Sequence, residues 1–201
     1  MGEGAWLVAF LGVQRLAELA LAQRNSARLR AAGGVEFGAA HYPLLVALHS
    51  LWLLGLGILG HDRAIDPLWL AVFILLQVGR LWVIASLASR WTTRVIVLPG
   101  VAPVARGPYR WLRHPNYVVV VLEIAAVPLA LGLPLFALVF SLANAAMLAY
   151  RIRIENQVLA WAALATSNGG SVKAGTVANG YASSFAPSVR TAKNDLRHTN
   201  R

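Results

Sequence analysis

Cysteine is absent from the 201-residue chain, which removes disulfides, thiolate metal sites and cysteine nucleophiles together. Charge is scarce: 13% of residues are charged, against about a quarter in an ordinary soluble domain. Lysine is nearly missing, because Lys173 and Lys193 are its two copies and all earlier basic side chains other than histidine are arginine. With 58% hydrophobic residues and a mean hydropathy of +0.59, a single soluble core is excluded. Apolar runs near twenty residues, the length that crosses a bilayer, recur to about position 165. The chain therefore reads as an all-α, polytopic membrane helix bundle of about five transmembrane helices. Residues 1–165 would form the membrane domain and 166–201 a disordered polar tail, where Ser, Gly, Asn, Ala and Thr dominate without periodicity.

The net charge of +10 would point to nucleic acid in a soluble protein. Here the charges fall between apolar spans, and no polar face interleaves aromatic with basic residues. They read as topology and lipid-surface charges, with membrane lipids as partners and no nucleic acid.

Ala5–Ala22 forms the first expected span. It lacks a basic leader and a small-residue cleavage site, so it reads as a retained helix. A second span covers Tyr42–Gly60 and a third Leu68–Ala88, joined by the short polar turn from His61 to Pro67. The apolar stretch Tyr117–Met147 is 31 residues long, too long for one crossing of about 20. Pro128 and Gly132-Leu133-Pro134 require it to fold as a hairpin, since glycine permits the reversal and proline favours a helix start. Arginines 24, 28 and 30 in the first loop, and 90, 94, 106, 110 and 113 in the third, outnumber the lone Arg63 of the second. The positive-inside rule then puts the N-terminus outside and the two long loops and C-terminus in the cytoplasm.

Polar residues inside the spans are costly against lipid and belong in the bundle interior. Arg15 and Glu18 share a helix face and can neutralise each other; Arg80 and Glu123 form a second expected buried pair. Gln14 and Gln77 fall in the same class. Asn144, two turns before Arg151, lies on that residue's face. His41 and His49 are too isolated for a metal site.

Candidate chemistry concentrates in two places. Four prolines and two glycines between Pro99 and Pro115 forbid a continuous helix, yet this segment sets Tyr109, Trp111 and Tyr117 among Arg106, Arg110, Arg113 and His114 just before a membrane helix. Flat apolar faces beside cationic donors suit a nucleotide-like, anionic cofactor, whereas an aromatic belt with interfacial arginines explains the residue types but not the proline and glycine framework. The second cluster is Tyr150-Arg151-Ile152-Arg153-Ile154-Glu155-Asn156, in which Arg151 and Glu155 share a helical face.

Gly107-Pro108-Tyr109, Arg113-His114-Pro115-Asn116-Tyr117, a helical hairpin, and Arg-x-x-x-Glu from Arg151 to Glu155 together resemble the isoprenylcysteine carboxyl methyltransferase family of membrane enzymes, with phospholipid methyltransferases as wider relatives. The resemblance covers about Arg90 to Glu155. It implies S-adenosylmethionine as methyl donor, held between the proline-rich loop and the last helix, and a lipophilic small-molecule or lipidated acceptor entering from the bilayer. Tyr109, Arg113, His114, Pro115, Tyr117 and Glu155 would bind the cofactor; Arg151, Arg153 and Glu155 would be catalytic. A carboxylate acceptor needs a cation to orient it, for which Arg151 or Arg153 is available. A phenol needs a base, for which His114 or Glu155 is available. Relatives usually carry two adjacent acids where this chain has Glu155-Asn156, and a further tyrosine- and arginine-rich segment where it has Thr166-Ser167-Asn168-Gly169-Gly170. Two other readings stay open here: a small transporter or channel, which needs a polar path at mid-membrane, and a catalytically inactive member of the fold.

Overall fold

The computed structural model describes residues 2–99 and 101–167. Five helices dominate: α1 (Glu3–Ala31), α2 (Tyr42–Gly60), α3 (Pro67–Leu87), α4 (Pro115–Ala130) and α5 (Pro134–Ser167). Two three-residue strands, β1 (Val35–Phe37) and β2 (Val95–Val97), pair antiparallel with Glu36 opposite Ile96. The architecture is the expected all-α membrane bundle, with this small strap added between the first and third loops. Helices α1, α2, α3 and α5 are each long and apolar enough to cross a membrane. The α4 helix, at 16 residues, extends only about 24 Å at 1.5 Å per residue.

Local chemistry sets the boundaries. Pro67 occupies the first turn of α3, and Asp66 caps it by accepting hydrogen bonds from the backbone N–H groups of Leu68 (2.9 Å) and Trp69 (3.1 Å). Gly132 takes the left-handed conformation (φ 65°) that reverses the chain between α4 and α5. The first helix runs nine residues past the expected Ala22 end, through Arg24, Arg28 and Arg30. The fifth continues to Ser167, so residues 166 and 167 are helical rather than tail; the polar tail expected from 168 onward lies outside the described residues.

Packing is divided along the bundle axis. Leu7, Leu11, Trp52, Leu56, Phe73, Ile124, Val127 and Leu131 fill the end where the short turns lie. At the opposite, loop-bearing end, Phe37 and Val95 of the strap pack on Ile154 and Val158 of α5. Between these layers the two ion pairs expected separately merge into one network. Glu123 of α4, 1% exposed, receives Arg15 of α1 (2.5 Å), Arg80 of α3, and Gln77 Nε2 (3.0 Å). Glu18 binds Arg15 (2.6 Å) and Arg80 (3.3 Å), while Gln14 Nε2 donates to Glu18 (2.8 Å) and Gln77 (2.6 Å). Two arginines and two glutamates thus neutralise one another across three helices. Asn144 is also 1% exposed, and neither of its side-chain polar atoms has a hydrogen-bond partner.

Candidate active site

The site grows from the start of α4. His114 occupies its N-cap position and Pro115 its first turn, where the missing proline N–H removes no helical bond. That start places Tyr117 one turn below His114, and the two rings stack 5.3 Å apart at 16°. The α5 helix runs antiparallel alongside, so its cluster Arg151–Asn156 returns to the same level.

The contacts join both sequence clusters. Tyr117 OH donates to Glu155 Oε2 (2.5 Å) and accepts from Arg151 Nε (2.8 Å). Arg151 Nη2 donates to the backbone carbonyl of Thr93 (2.6 Å), which ties the third loop to α5. His114 Nδ1 lies 3.7 Å from Glu155 Oε2, while Nε2 donates to Asn156 Oδ1 (3.1 Å). Asn156, the neutral residue at the second acidic position, thus serves as the acceptor that orients the imidazole. The Tyr117 hydroxyl is the hinge of the arrangement, because it carries the Arg151–Glu155 link that helical spacing alone would assign to a direct pair.

Tyr109 sits in the 3₁₀ turn Gly107–Arg110 and packs on the buried group formed by Ala22, Val83 and Trp91. Burial, and then the negative charge of Glu155, push its phenol above the ordinary value of 10.0. It therefore stays a neutral hydroxyl at physiological pH. Gly107 enables this turn: its φ is +58°, and a Cβ there would meet Ser86 Oγ at 2.0 Å. Arg113 and Arg153 are exposed, and neither takes part in the hydrogen bonds that join the cluster. Pro115 is buried and shapes the helix start without a polar contact of its own.

Three residues at this end of the bundle carry no signal strong enough to be singled out from sequence. Thr93 acts through its backbone carbonyl, which every residue type possesses. Asn116, inside the quoted motif, has a buried Oδ1 without a hydrogen-bond partner, and Trp91 has a buried, unpartnered Nε1–H. Asn156 shows in the sequence as a departure from a pattern rather than as a partner for His114. A cavity of about 420 Å³ opens at this end of the bundle, but its lining runs through Leu87–Arg90 and Ala102–Arg106 and includes none of the four converging groups. A narrower crevice reaches Arg151 from the strap side, past His41, Tyr42 and Thr93. His41 also stands edge-on to Tyr150 at 5.5 Å.

Residues 69–161, from α3 into α5, match the isoprenylcysteine carboxyl methyltransferase (ICMT) family. The uncharacterised protein YpbQ of Bacillus subtilis (strain 168) is 40% identical over 158 residues, which cover 76% of this chain and 94% of that relative. No solved structure matches the chain. Both halves of the His114–Glu155 cluster fall inside the matched segment, and four helices have the length and apolarity of membrane spans. This multi-pass membrane protein belongs to the isoprenylcysteine carboxyl methyltransferase family, a family of membrane methyltransferases.

Proposed function

We propose that the protein is an S-adenosylmethionine-dependent O-methyltransferase acting on a lipophilic acceptor that bears a carboxylate or a phenol. The observation that carries this reading is the convergence of His114, Tyr117, Arg151 and Glu155 at the loop-bearing end of the bundle. Family members use S-adenosylmethionine as methyl donor, and the donor set fits that molecule. Its ammonium group calls for acceptors, which Glu155 and the unpartnered Asn116 Oδ1 supply. Its carboxylate calls for donors, for which Arg113 and His114 stand at the start of α4, where the helix N-terminus adds its own partial positive charge. Its adenine calls for flat apolar walls, and Tyr109 and Tyr117 provide aromatic faces.

When bound, the cofactor supplies an electrophilic methyl group. The chain's own contribution is alignment and exclusion of water rather than covalent catalysis. Arg151 is held by Tyr117 and Thr93 and so works as a rigid post. Arg153, exposed two residues further along α5, is the cation left to orient an acceptor carboxylate. For a phenol acceptor, Glu155 or His114 would take the proton, since both already exchange hydrogen bonds at the site. The arginine bias of the first and third loops orients this end toward the cytoplasm, and the short α4 keeps the site near the depth at which a lipid headgroup sits.

Equilibrium binding of radiolabelled S-adenosylmethionine to detergent-purified protein tests the reading. His114→Ala and Glu155→Ala should each weaken binding roughly 10- to 100-fold, the worth of a charge-assisted hydrogen bond, with the thermal midpoint preserved. Undiminished binding in both variants removes the site assignment. Incubation of membranes with the labelled donor should move label into an organic-extractable lipid. Sound binding without any labelled lipid would reduce the protein to an inactive relative.

A further inference from the structure

The cavity of about 420 Å³ lies apart from the methyl-transfer cluster and has its own chemistry. One wall is the end of α3 and the turn Ala88–Arg90; the other is the segment Ala102–Arg106. Arg90 Nη1 donates to the Ala102 carbonyl (2.8 Å), and Arg106 Nε donates to the Ser86 carbonyl (2.7 Å), so each guanidinium staples one wall to the other. Neither arginine has an ion-pair partner among the described residues, and each retains further N–H donors. Two guanidiniums without a carboxylate partner favour an anion over a cation.

The turn that carries Arg90 is built at a cost. Ala88 has φ +49°, the one non-glycine residue with positive φ among the described residues. With ψ −120° it lies outside the left-handed helical well, and such a conformation costs about 1–3 kcal/mol and persists where surrounding contacts over-determine it. Asn25 of α1, itself 1% exposed, supplies those contacts by donating to the carbonyls of Ala88 (3.1 Å) and Trp91 (2.8 Å). The turn is therefore held rigidly, with Arg90 at the last residue of the membrane-span candidate Pro67–Arg90. A span ending there sets Arg90 at headgroup depth by its length and apolarity. Leu87, Pro103 and Val104 give the cavity apolar walls, and Trp111 (70% exposed) and Leu112 (48% exposed) follow on the same loop.

We propose that this cavity binds the phosphate of an anionic membrane lipid, Arg90 and Arg106 holding the phosphodiester while the acyl chains lie along α3. Phosphate recognition by paired guanidiniums is chemically the same for a lipid and for free phosphate. The interfacial depth and apolar walls assign it to the lipid. The site stands independently of methyl transfer.

The test is thermal unfolding of the full chain in an uncharged detergent, titrated with dioctanoyl phosphatidylglycerol, dioctanoyl phosphatidylcholine or inorganic phosphate. Phosphatidylglycerol should raise the melting temperature saturably, because a ligand that binds the folded state stabilises it. Phosphatidylcholine and inorganic phosphate should need roughly tenfold higher concentration or more for the same shift. Arg106→Gln and Arg90→Gln should each move half-saturation upward about tenfold, while the Arg24→Gln/Arg28→Gln control, whose exposed side chains lie off the cavity, should not. Equal responses to the two lipids, an unchanged response in both cavity variants, or equal saturation by inorganic phosphate would overturn the proposal. Should a glutamine variant fail to fold, native mass spectrometry of wild-type protein after delipidation decides: retained phosphatidylglycerol supports the site, and preferential retention of phosphatidylcholine overturns it.

Discussion

Replacing Glu123 by glutamine tests whether the mid-bundle network holds the helices together by charge or by hydrogen bonding. The carboxylate faces Arg15 at 2.5 Å, Arg80, and Gln77 at 3.0 Å, and it is 1% exposed. Glutamine is nearly isosteric and keeps an acceptor for Gln77, so little packing is lost. What changes is the balance: two guanidiniums would face Glu18 alone, leaving one buried positive charge uncompensated. Removing one partner of a buried pair costs about 3–5 kcal/mol, whereas an interhelical hydrogen bond in a membrane protein averages about 0.6 kcal/mol. Charge therefore predicts a loss of at least about 3 kcal/mol, and hydrogen bonding alone a loss near 1 kcal/mol. Reversible unfolding in mixed micelles of rising dodecyl sulfate content separates these values. The Glu123→Gln/Arg80→Gln double variant restores neutrality, so it should lose less than the sum of the two single variants. A Glu123→Gln loss under about 1 kcal/mol together with an additive cycle would refute the electrostatic reasoning.

Three further expectations can be measured on the same material. Asn25→Ala removes both bonds to the Ala88 turn and should cost about 1–3 kcal/mol, whereas Ala88→Gly, placed where positive φ favours glycine, should stabilise by up to about 1 kcal/mol; a destabilising Ala88→Gly would contradict the strain. Gly107→Ala drives a Cβ toward Ser86 Oγ at 2.0 Å and should cost about 1–3 kcal/mol, with intrinsic fluorescence of Trp82 and Trp111, whose rings lie 5.9 Å apart, reporting the displaced turn. The third concerns acid. Burial works to raise the Glu36 carboxyl, but hydrogen bonds from Arg30 (2.6 Å) and Arg94 (2.5 Å) outweigh it and hold the group below its ordinary 4.5. Its stabilising contribution is therefore complete above that value and is lost as pH falls through the lower folded one. Hydrogen exchange at Val35–Phe37 should accelerate below about pH 4.5 in wild type but show no such step in Glu36→Gln.

How much of this was legible in the sequence depends on what each feature rests upon. The α2 boundaries match the apolar run Tyr42–Gly60 residue for residue, and the hairpin reversal falls at Gly132, because length against bilayer thickness and backbone freedom are composition-level constraints. Helix facing is different. In lipid an outward leucine and an inward leucine are equally comfortable, so apolar periodicity loses its direction, and the polar residues alone mark the interior. They marked it correctly for Arg15–Glu18 and Arg80–Glu123, but spacing along one helix reveals intrahelical partners, and the merger of the two pairs depends on packing between helices. The strap leaves no mark in the sequence because three residues per strand are too few for alternation to register. At the site, the side chains of His114, Tyr117, Arg151 and Glu155 announced themselves, whereas the Thr93 carbonyl that anchors Arg151 has no residue-type signature.

The network and the site are mechanically linked through α4. Tyr117 and Glu123 are six residues apart, which places them about 9 Å apart along the axis and roughly 120° apart around it. One face of this short helix is thereby committed to α1 and α3 through charge, and another to α5 through the Tyr117 hydroxyl. Fixing Glu123 fixes the rotation of α4, and with it the direction in which His114 and Tyr117 point. On the other side, α5 is fixed near Glu155 by the contacts of Ile154 and Val158 with the strap, and by the bond from Arg151 to Thr93. The two halves of the site are thus held by separate supports, one ionic and in the middle of the bundle, the other an apolar cluster and a hydrogen bond at its loop-bearing end. Rotational slack in either helix would separate the imidazole from the carboxylate. That dependence explains why a chain so poor in charge places four charged side chains in the middle of its bundle, about two helical turns from the site itself.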